Sequence, residues 1–256
     1  MSREVSRSRI VRSFRRPVAR LENAFARLER AYLERIAPAT SCICVDREGR
    51  KLEDEQVREA LRHGEASTCF VYWIADAMSV ALLPFVHPVF RDIPRGVHFL
   101  FDDTFWGRVC ARFQTGLGGE CIVLARRGNP ERLRQIRRLM VHDGSFALAV
   151  DGGGPYRSLG SGIVSLANAL GAAIVPIAVH ASPALRIALR SEVRLPCPRS
   201  SVAVALGKSI RVPHEAARSQ VTEQVRLELD ELRSLVLAAP LRRARASYSG
   251  VRLRET

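Results

Sequence analysis

Short apolar runs alternate with amphipathic segments along most of this chain. Over residues 1–37, apolar side chains recur every three or four positions, which predicts one long amphipathic helix. From about residue 70 onward, apolar runs of strand length alternate with segments of helix length. This alternation favours the α/β class over an all-α or an all-β fold.

The same pattern gives approximate bounds for the elements. Strands are predicted at 41–45, 97–101, 120–125, 145–150, 171–179 and 201–206. Helices are predicted at 52–63, from Asp102 or Asp103 to 113, from Asn129 onward, at 162–170 and at 216–237. The very apolar stretch from Cys69 to Phe90 contains Asp76 and two prolines, so we interpret it as a buried helix rather than a membrane span.

A glycine-rich loop joins the predicted strand at 145–150 to the predicted helix at 162–170. The loop begins at Asp151, continues with Gly152, Gly153 and Gly154, and carries Arg157. Backbone N–H groups in such a loop can converge on an anion at the carboxyl edge of a sheet, where open α/β folds bind ligands. A tight turn that needs glycine for its backbone angles is the equally simple alternative.

Length and charge narrow the class of partner. A chain of 256 residues can form one domain with appendages, and we predict a domain at 38–238 with a disordered basic tail at 239–256. The net charge is +14, and Lys51 and Lys208 are the only lysines, so the excess is arginine. Arginine suits phosphate because its planar fork holds two oxygens at once. The six cysteines show no paired metal-ligand spacing, so no metal site is predicted.

The N-terminal helix carries many arginines beside its apolar stripe. The stripe consists of Ile10, Phe14, Val18, Leu21, Phe25, Leu28 and Tyr32. A basic amphipathic helix can lie in the headgroup layer of an anionic membrane. It can also pack its stripe on the domain and leave its arginines in water, and the sequence leaves both readings open.

Four sequence blocks follow one another in the second half of the chain. They are Arg126-Arg127-Gly128, Val150-Asp-Gly-Gly-Gly-Pro155 with Arg157, Gly162-Ile-Val-Ser-Leu-Ala167 and Ala173-Ile-Val-Pro-Ile177. In this order, residues 70–235 resemble the lysophospholipid acyltransferase superfamily, and within it a group of uncharacterised bacterial members. The resemblance implies a glycerol-3-phosphate acyltransferase-like fold, with a central, mostly parallel sheet flanked by helices.

The chain departs from this superfamily where the resemblance places the catalytic base. Ile74 stands at the position of the superfamily's histidine, and Ser79 at that of the carboxylate five residues on. Asp76 is the ionisable group nearby, and it is either a buried base or a hydrogen-bonded structural residue. The pair His98 and Asp103 has the His-x-x-x-x-Asp spacing one strand later and is a further catalytic candidate.

The resemblance implies acyl transfer from acyl-CoA or acyl carrier protein to a lysophospholipid or another phosphorylated acceptor. Arg126, Arg127 and Arg157 would then bind the acceptor phosphate, and Asp151 with the backbone of Gly152–Gly154 would line the pocket. No cofactor is expected. The partner surface would be an anionic membrane, at the cytoplasmic side of the inner membrane, and we predict no specific nucleic acid. The alternative is a catalytically inactive relative that binds anionic lipid or a partner protein.

Overall fold

The computed structural model describes residues 3–61, 67–91, 97–124, 134, 136, 138, 145–151, 159–188, 192–213 and 218–239. Eight strands form its centre: β1 (Ser41–Val45), β2 (Lys51–Leu52), β3 (Thr68–Tyr72), β4 (Val97–Asp102), β5 (Glu120–Leu124), β6 (Ser145–Ala149), β7 (Ala173–Ala188) and β8 (Glu192–Leu206). They join into one sheet with the order β2-β1-β8-β7-β3-β6-β4-β5.

Most neighbouring strands in this sheet are parallel. The run β7-β3-β6-β4-β5 is parallel throughout. β8 runs antiparallel to β7, β1 runs parallel to β8, and β2 forms a short antiparallel edge on β1. The predicted α/β fold with a central, mostly parallel sheet is therefore confirmed.

Helices cover both faces of the sheet. They are α1 (Arg3–Ile36), α2 (Asp54–Leu61), α3 (Ala77–Val86), α4 (Pro88–Arg91), α5 (Phe105–Gly116), α6 (Gly162–Leu170) and α7 (Arg218–Ala238). Along β3, Phe70 and Tyr72 pack in the core that α1 to α5 share, whereas Cys69 and Val71 pack with α6 and α7. This alternation follows from the two-residue period of a strand. None of the helices in the described ranges combines the length and the apolar composition that a bilayer span requires.

The prediction of a buried helix over the whole stretch from Cys69 to Phe90 is wrong in its first part. Thr68–Tyr72 is the central strand β3, and all five of its residues are buried. The 3₁₀ turn Ile74–Asp76 follows, and α3 begins only at Ala77. A parallel strand buried on both faces reads as a continuous apolar run, so periodicity did not separate it from a buried helix.

The strands β7 and β8 extend well beyond the predicted bounds. β3 pairs with β7 only as far as Pro176, and β1 pairs with residues 201–205 of β8. Residues 184–188 and 192–196 pair with each other and form a two-stranded ribbon, called the arm below. The sequence did not predict this extension because it contains prolines at 183 and 196, and proline is unusual inside strands.

The helix α5 begins at Phe105, slightly later than the predicted start after a cap at Asp102 or Asp103. Its N-cap is Thr104, whose hydroxyl accepts a hydrogen bond from the backbone N–H of Gly107 at 3.0 Å. Asp102 instead accepts a hydrogen bond from the Thr104 hydroxyl at 2.7 Å. A threonine cap satisfies a free N–H of the first turn as an aspartate would.

Candidate functional site

Two aspartates lie close together at the carboxyl edge of the parallel sheet. β3 and β6 are adjacent and parallel, and Asp76 and Asp151 follow their carboxyl ends. The Asp151 carboxylate accepts a hydrogen bond from the backbone N–H of Ile74 at 2.6 Å, so it fixes the turn that carries Asp76. Both aspartates are buried, with 1% of Asp76 and 2% of Asp151 exposed.

A buried arginine from α7 faces Asp76. One terminal nitrogen of Arg233 lies 3.4 and 3.5 Å from the two Asp76 carboxylate oxygens. Burial raises the pKa of Asp76 to about 6, although Arg233 and Arg194 lower it and the nearby Asp151 carboxylate raises it further. Asp76 therefore changes its charge near neutral pH, which is the range that suits a general base.

A histidine and a second buried arginine complete this group. Burial and the charges of Arg194, Arg233 and Arg186 lower the pKa of His180 to about 4, so its imidazole is neutral at pH 7. Arg194 lies on the arm and is buried. We call the five residues Asp76, Asp151, His180, Arg194 and Arg233 the polar cluster.

A contribution to fold stability does not explain why these charged residues are buried together in the polar cluster. Burying ionised groups costs free energy that their mutual attraction only partly returns, so a buried ion pair contributes little net stability. Groups with shifted pKa values that converge at a sheet edge are typical of functional sites. The polar cluster can accept a proton at Asp76, and it can bind negative charge at its arginines.

The structure does not bring His98 and Asp103 to the polar cluster. His98 pairs in register with Phe146 and Glu120 at the amino end of β4, and its Nδ1 lies 3.1 Å from a Glu120 carboxylate oxygen. Asp103 follows the carboxyl end of β4 and accepts a hydrogen bond from Arg108 at 2.8 Å. Five extended residues span about 16 Å. The two side chains are therefore separated along the strand and have other partners.

Several predicted ligand residues lie outside the described residues. They are Arg126, Arg127, Gly152, Gly153, Gly154 and Arg157. Their proposed contacts with an acceptor remain predictions. Of the predicted binding residues, Asp151 is the one that the structure places at the polar cluster.

Sequence reasoning did not single out three members of the polar cluster. His180, Arg194 and Arg233 come from β7, β8 and α7, and no short motif joins them. The sequence offered one signal, since Arg233 adjoins Leu232 on the apolar side of α7. In the structure, Arg233 is only 3% exposed. An arginine at a core-facing helix position needs a buried acidic partner, and Asp76 is that partner.

A second feature is an exposed apolar surface at the junction of α1 and α5. It consists of Val18, Leu21, Phe25 and Leu28 of α1 and Trp106 of α5, and we call it the apolar face. Leu28 is 66% exposed, Trp106 52% and Leu21 51%. The rings of Phe25 and Trp106 lie 5.4 Å apart, so the two helices form one continuous surface.

The buried side of α1 differs from the stripe that the sequence indicated. Ala26, Leu33 and Ile36 pack into the core, one position away from the stripe residues Phe25 and Tyr32. Glu22 is also buried and pairs with Arg108 at 2.6 Å and with Arg112 at 3.0 Å. α1 is thus fixed to α5 by one side, and four stripe residues remain on the surface.

Comparisons with known proteins returned a similar solved structure but no matching sequence. The molecule is a mixed α/β protein whose polar site lies at the carboxyl edge of a mostly parallel sheet. No family model matches the sequence, and no curated protein matches it either. The structure is similar to the crystal structure of PlsC from Thermotoga maritima, a 1-acyl-sn-glycerophosphate acyltransferase. The TM-score is 0.48 at 10% sequence identity, over 90% of this chain and 86% of that chain.

Proposed function

We propose that this protein transfers an acyl group from a thioester donor to a hydroxyl of a lysophospholipid or a related phosphorylated acceptor. The observation that supports it most is Asp76, a buried carboxylate with a pKa of about 6 at the carboxyl edge of β3. It lies two residues after Ile74, where the resembling superfamily has its histidine. A carboxylate in this position can take the role of the missing base.

In the proposed reaction, the Asp76 carboxylate accepts the proton of the acceptor hydroxyl. The hydroxyl oxygen then attacks the thioester carbonyl carbon, and the carbon–sulfur bond breaks as the ester forms. The leaving thiolate takes this proton from Asp76, which releases the free thiol and restores the ionised Asp76 carboxylate. The donor is acyl-CoA or acyl carrier protein.

Two neighbours position the base. Arg233 faces both Asp76 oxygens, and its charge keeps the pKa of Asp76 from rising further. Asp151 holds the 3₁₀ turn through the N–H of Ile74. Neither residue has to touch the reacting atoms for this function.

The experiment is a transfer assay with purified protein, acyl-CoA and a panel of lysophospholipids, in which free thiol and acylated lipid are both measured. We expect product with the wild type. We expect Asp76→Asn to lower the rate about 100- to 10,000-fold, because general-base catalysis contributes that much. Unchanged transfer by Asp76→Asn would exclude Asp76 as the base.

Matched controls are available on β4, which is separated from β3 by β6 in the sheet. Asp103→Asn removes an exposed carboxylate beyond β4, and His98→Gln removes the histidine at its other end. We expect both variants to keep the wild-type rate. Since Asp76→Asn leaves Arg233 without its acidic partner, the variant's fold is checked by its thermal unfolding, and Asp76→Asn with Arg233→Gln provides a second variant without the buried charge imbalance.

The proposed place of action is the surface of an anionic membrane. The apolar face can enter the headgroup layer, and exposed arginines of α1, such as Arg20 and Arg27, can contact lipid phosphates. This proposal includes the cytoplasmic face of the inner membrane as the location. A surface of this kind would bring a lipid acceptor to the protein.

A second candidate function is that of a non-catalytic relative that binds anionic lipid. The observation that favours it is the pairing of Asp76 with Arg233, since a fully buried and paired aspartate also suits a structural role. This candidate predicts vesicle binding without any thiol release over the whole donor and acceptor panel. The transfer assay therefore separates the two functions.

A further inference from the structure

The arm carries four apolar side chains on one of its sides. Leu185 of β7 stands opposite Leu195 of β8, and Ile187 stands opposite Val193. Cross-strand partners, and residues two apart in a strand, share a side, so these four residues form one patch, called the outer side below. Leu185 is 57% exposed, and none of the four belongs to a hydrophobic core of the described residues. A two-stranded ribbon is only marginally stable by itself in water, so its apolar side calls for a partner.

The opposite side of the arm carries Arg194, a member of the polar cluster. Arg194 is buried, and its charge is among those that lower the pKa of Asp76. Its strand neighbours Val193 and Leu195 point to the outer side, because successive side chains of a strand alternate. The arm thus has one side that takes part in the polar cluster and one apolar side that lies outside the cores.

The helix α1 contacts the arm at the end of its apolar stripe. The Tyr32 hydroxyl donates a hydrogen bond to the Pro196 carbonyl. Tyr32 lies one helical turn after Leu28, which belongs to the apolar face and is 66% exposed. The arm and the apolar face are therefore joined through one side chain of α1.

Two exposed arginines accompany the outer side. Arg186 lies between Leu185 and Ile187 in β7, and Arg199 follows the arm in β8. Neither arginine forms an ion pair with another described residue. On a ribbon of only two strands, an arginine can bend its long side chain round the edge toward a phosphate. Cations beside an apolar patch are typical of protein surfaces that enter the headgroup layer of an anionic bilayer.

We propose that the outer side of the arm contacts an anionic phospholipid bilayer and thereby holds the polar cluster at the bilayer surface. A second copy of the chain fits less well, because a stable interface uses about 20 residues of each partner and the outer side offers four. A fluid bilayer requires no matching shape. The benefit for acyl transfer, that a lipid acceptor stays in the bilayer while it reacts, rests on the proposed function, whereas the contact with lipid does not.

The test is sedimentation of the intact protein with vesicles of mixed anionic and zwitterionic phospholipid. We expect Leu185→Gln to weaken binding about 30-fold, the effect of withdrawing one leucine side chain from lipid. Leu227→Gln is the matched control, since Leu227 lies on α7 and is 54% exposed, and it should bind like the wild type. Thermal unfolding checks that both variants keep the fold.

An arginine variant tests the electrostatic part of the contact. We expect Arg186→Gln to weaken binding to the mixed vesicles about fivefold, because one cation near an anionic bilayer contributes about that factor. With purely zwitterionic vesicles, the variant and the wild type should bind equally. Arg218→Gln is the matched control, since Arg218 is an exposed arginine of α7, and its affinity for the mixed vesicles should equal that of the wild type.

Two results would overturn this assignment. One is equal vesicle binding by Leu185→Gln and the wild type. The other is a dimer, measured by analytical ultracentrifugation without lipid, that Leu185→Gln dissociates, because the occupant of the outer side would then be a second copy of the chain.

The transfer assay separates this proposal from the proposed function. Leu185→Gln should lose transfer to a lysophospholipid embedded in vesicles, at limiting lipid, by the factor that it loses in binding. It should keep the wild-type rate with a short-chain lysophospholipid that is dissolved as monomers. Vesicle binding that depends on Leu185 without any transfer contradicts only the proposed function, and transfer with vesicle binding that does not depend on Leu185 contradicts only this contact.

Discussion

Asp76 combines three properties that seldom occur together in one residue. It is buried, it faces a buried arginine, and its pKa still lies at about 6 rather than below its ordinary value. Burial disfavours the ionised carboxylate more strongly than Arg233 and Arg194 favour it, and the adjacent Asp151 charge adds to the effect. The residue thus holds its proton more tightly in the folded chain than in the unfolded chain.

This difference predicts a pH dependence of stability. The pKa of Asp76 is higher in the folded chain than in the unfolded chain. Its contribution to the free energy of unfolding is therefore complete below pH 4 and is lost as the pH rises through about 6. Its size is on the order of 3 kcal/mol. Measured by urea unfolding at several pH values, the wild type should lose this much stability relative to Asp76→Asn between pH 4 and 7.

The comparison with Asp76→Asn is needed because His180 acts in the opposite direction. Its folded pKa of about 4 lies below the ordinary value, so its contribution grows as the pH rises from 4 to 6.5. Both proteins contain His180, so the difference between them isolates Asp76. A difference that is constant with pH would mean that the Asp76 carboxyl ionises at its ordinary pKa.

The structure of α1 bears on the two hypotheses for this helix, that it lies on a membrane or that it packs its apolar stripe on the domain. Its buried side is used for attachment to the domain, by Ala26, Leu33 and Ile36 and by the ion pairs of Glu22 with α5. The apolar face remains open beside that side. A contiguous exposed apolar surface of this kind is a typical interaction site.

We expect Leu28→Gln to weaken binding to vesicles of mixed anionic and zwitterionic phospholipid about 30-fold, since burial of a leucine in lipid contributes about 2 kcal/mol. Sedimentation of the protein with vesicles measures this. Leu227→Gln on α7 is the control, because Leu227 is 54% exposed but lies on the helix layer of the opposite sheet face. Equal effects of the two variants would show that the apolar face does not contact the membrane.

At the scale of elements, the sequence predicted most of the fold for a physical reason. Segments with one buried face have a clear period, and the strand Ser41–Val45 and the helix Gly162–Leu170 have the predicted bounds. β3 lacks such a period because both of its faces are buried. The arm was missed because its prolines and arginines do not resemble a strand.

At the scale of the whole molecule, the polar cluster is assembled from distant parts of the chain. Asp76 and Arg233 are 157 residues apart, and the parallel sheet brings them together. The sequence indicated Asp151 because it follows an apolar strand, where ligand sites are expected, and it indicated Asp76 because this residue lies near the position of the superfamily's histidine. It did not indicate their partners, because pairing between buried charges leaves no local pattern. The spacing of His98 and Asp103 was a local pattern without the corresponding geometry.

The apolar face and the polar cluster serve different parts of the proposed function. The apolar face would hold the protein at a membrane, and the polar cluster would hold a phosphorylated acceptor beside a base. The net charge of +14 favours association with anionic surfaces and makes that association sensitive to salt.

The central claim is that Asp76 acts as the base of an acyl transfer, and the rate of thiol release as a function of pH tests it most directly. The wild type should form acylated lipid at a rate that rises with pH through about 6, as Asp76 ionises. Asp76→Asn should remove both the rate and this pH dependence. A wild type that binds lipid but forms no product at any pH, or an Asp76→Asn variant with the wild-type profile, would contradict the account.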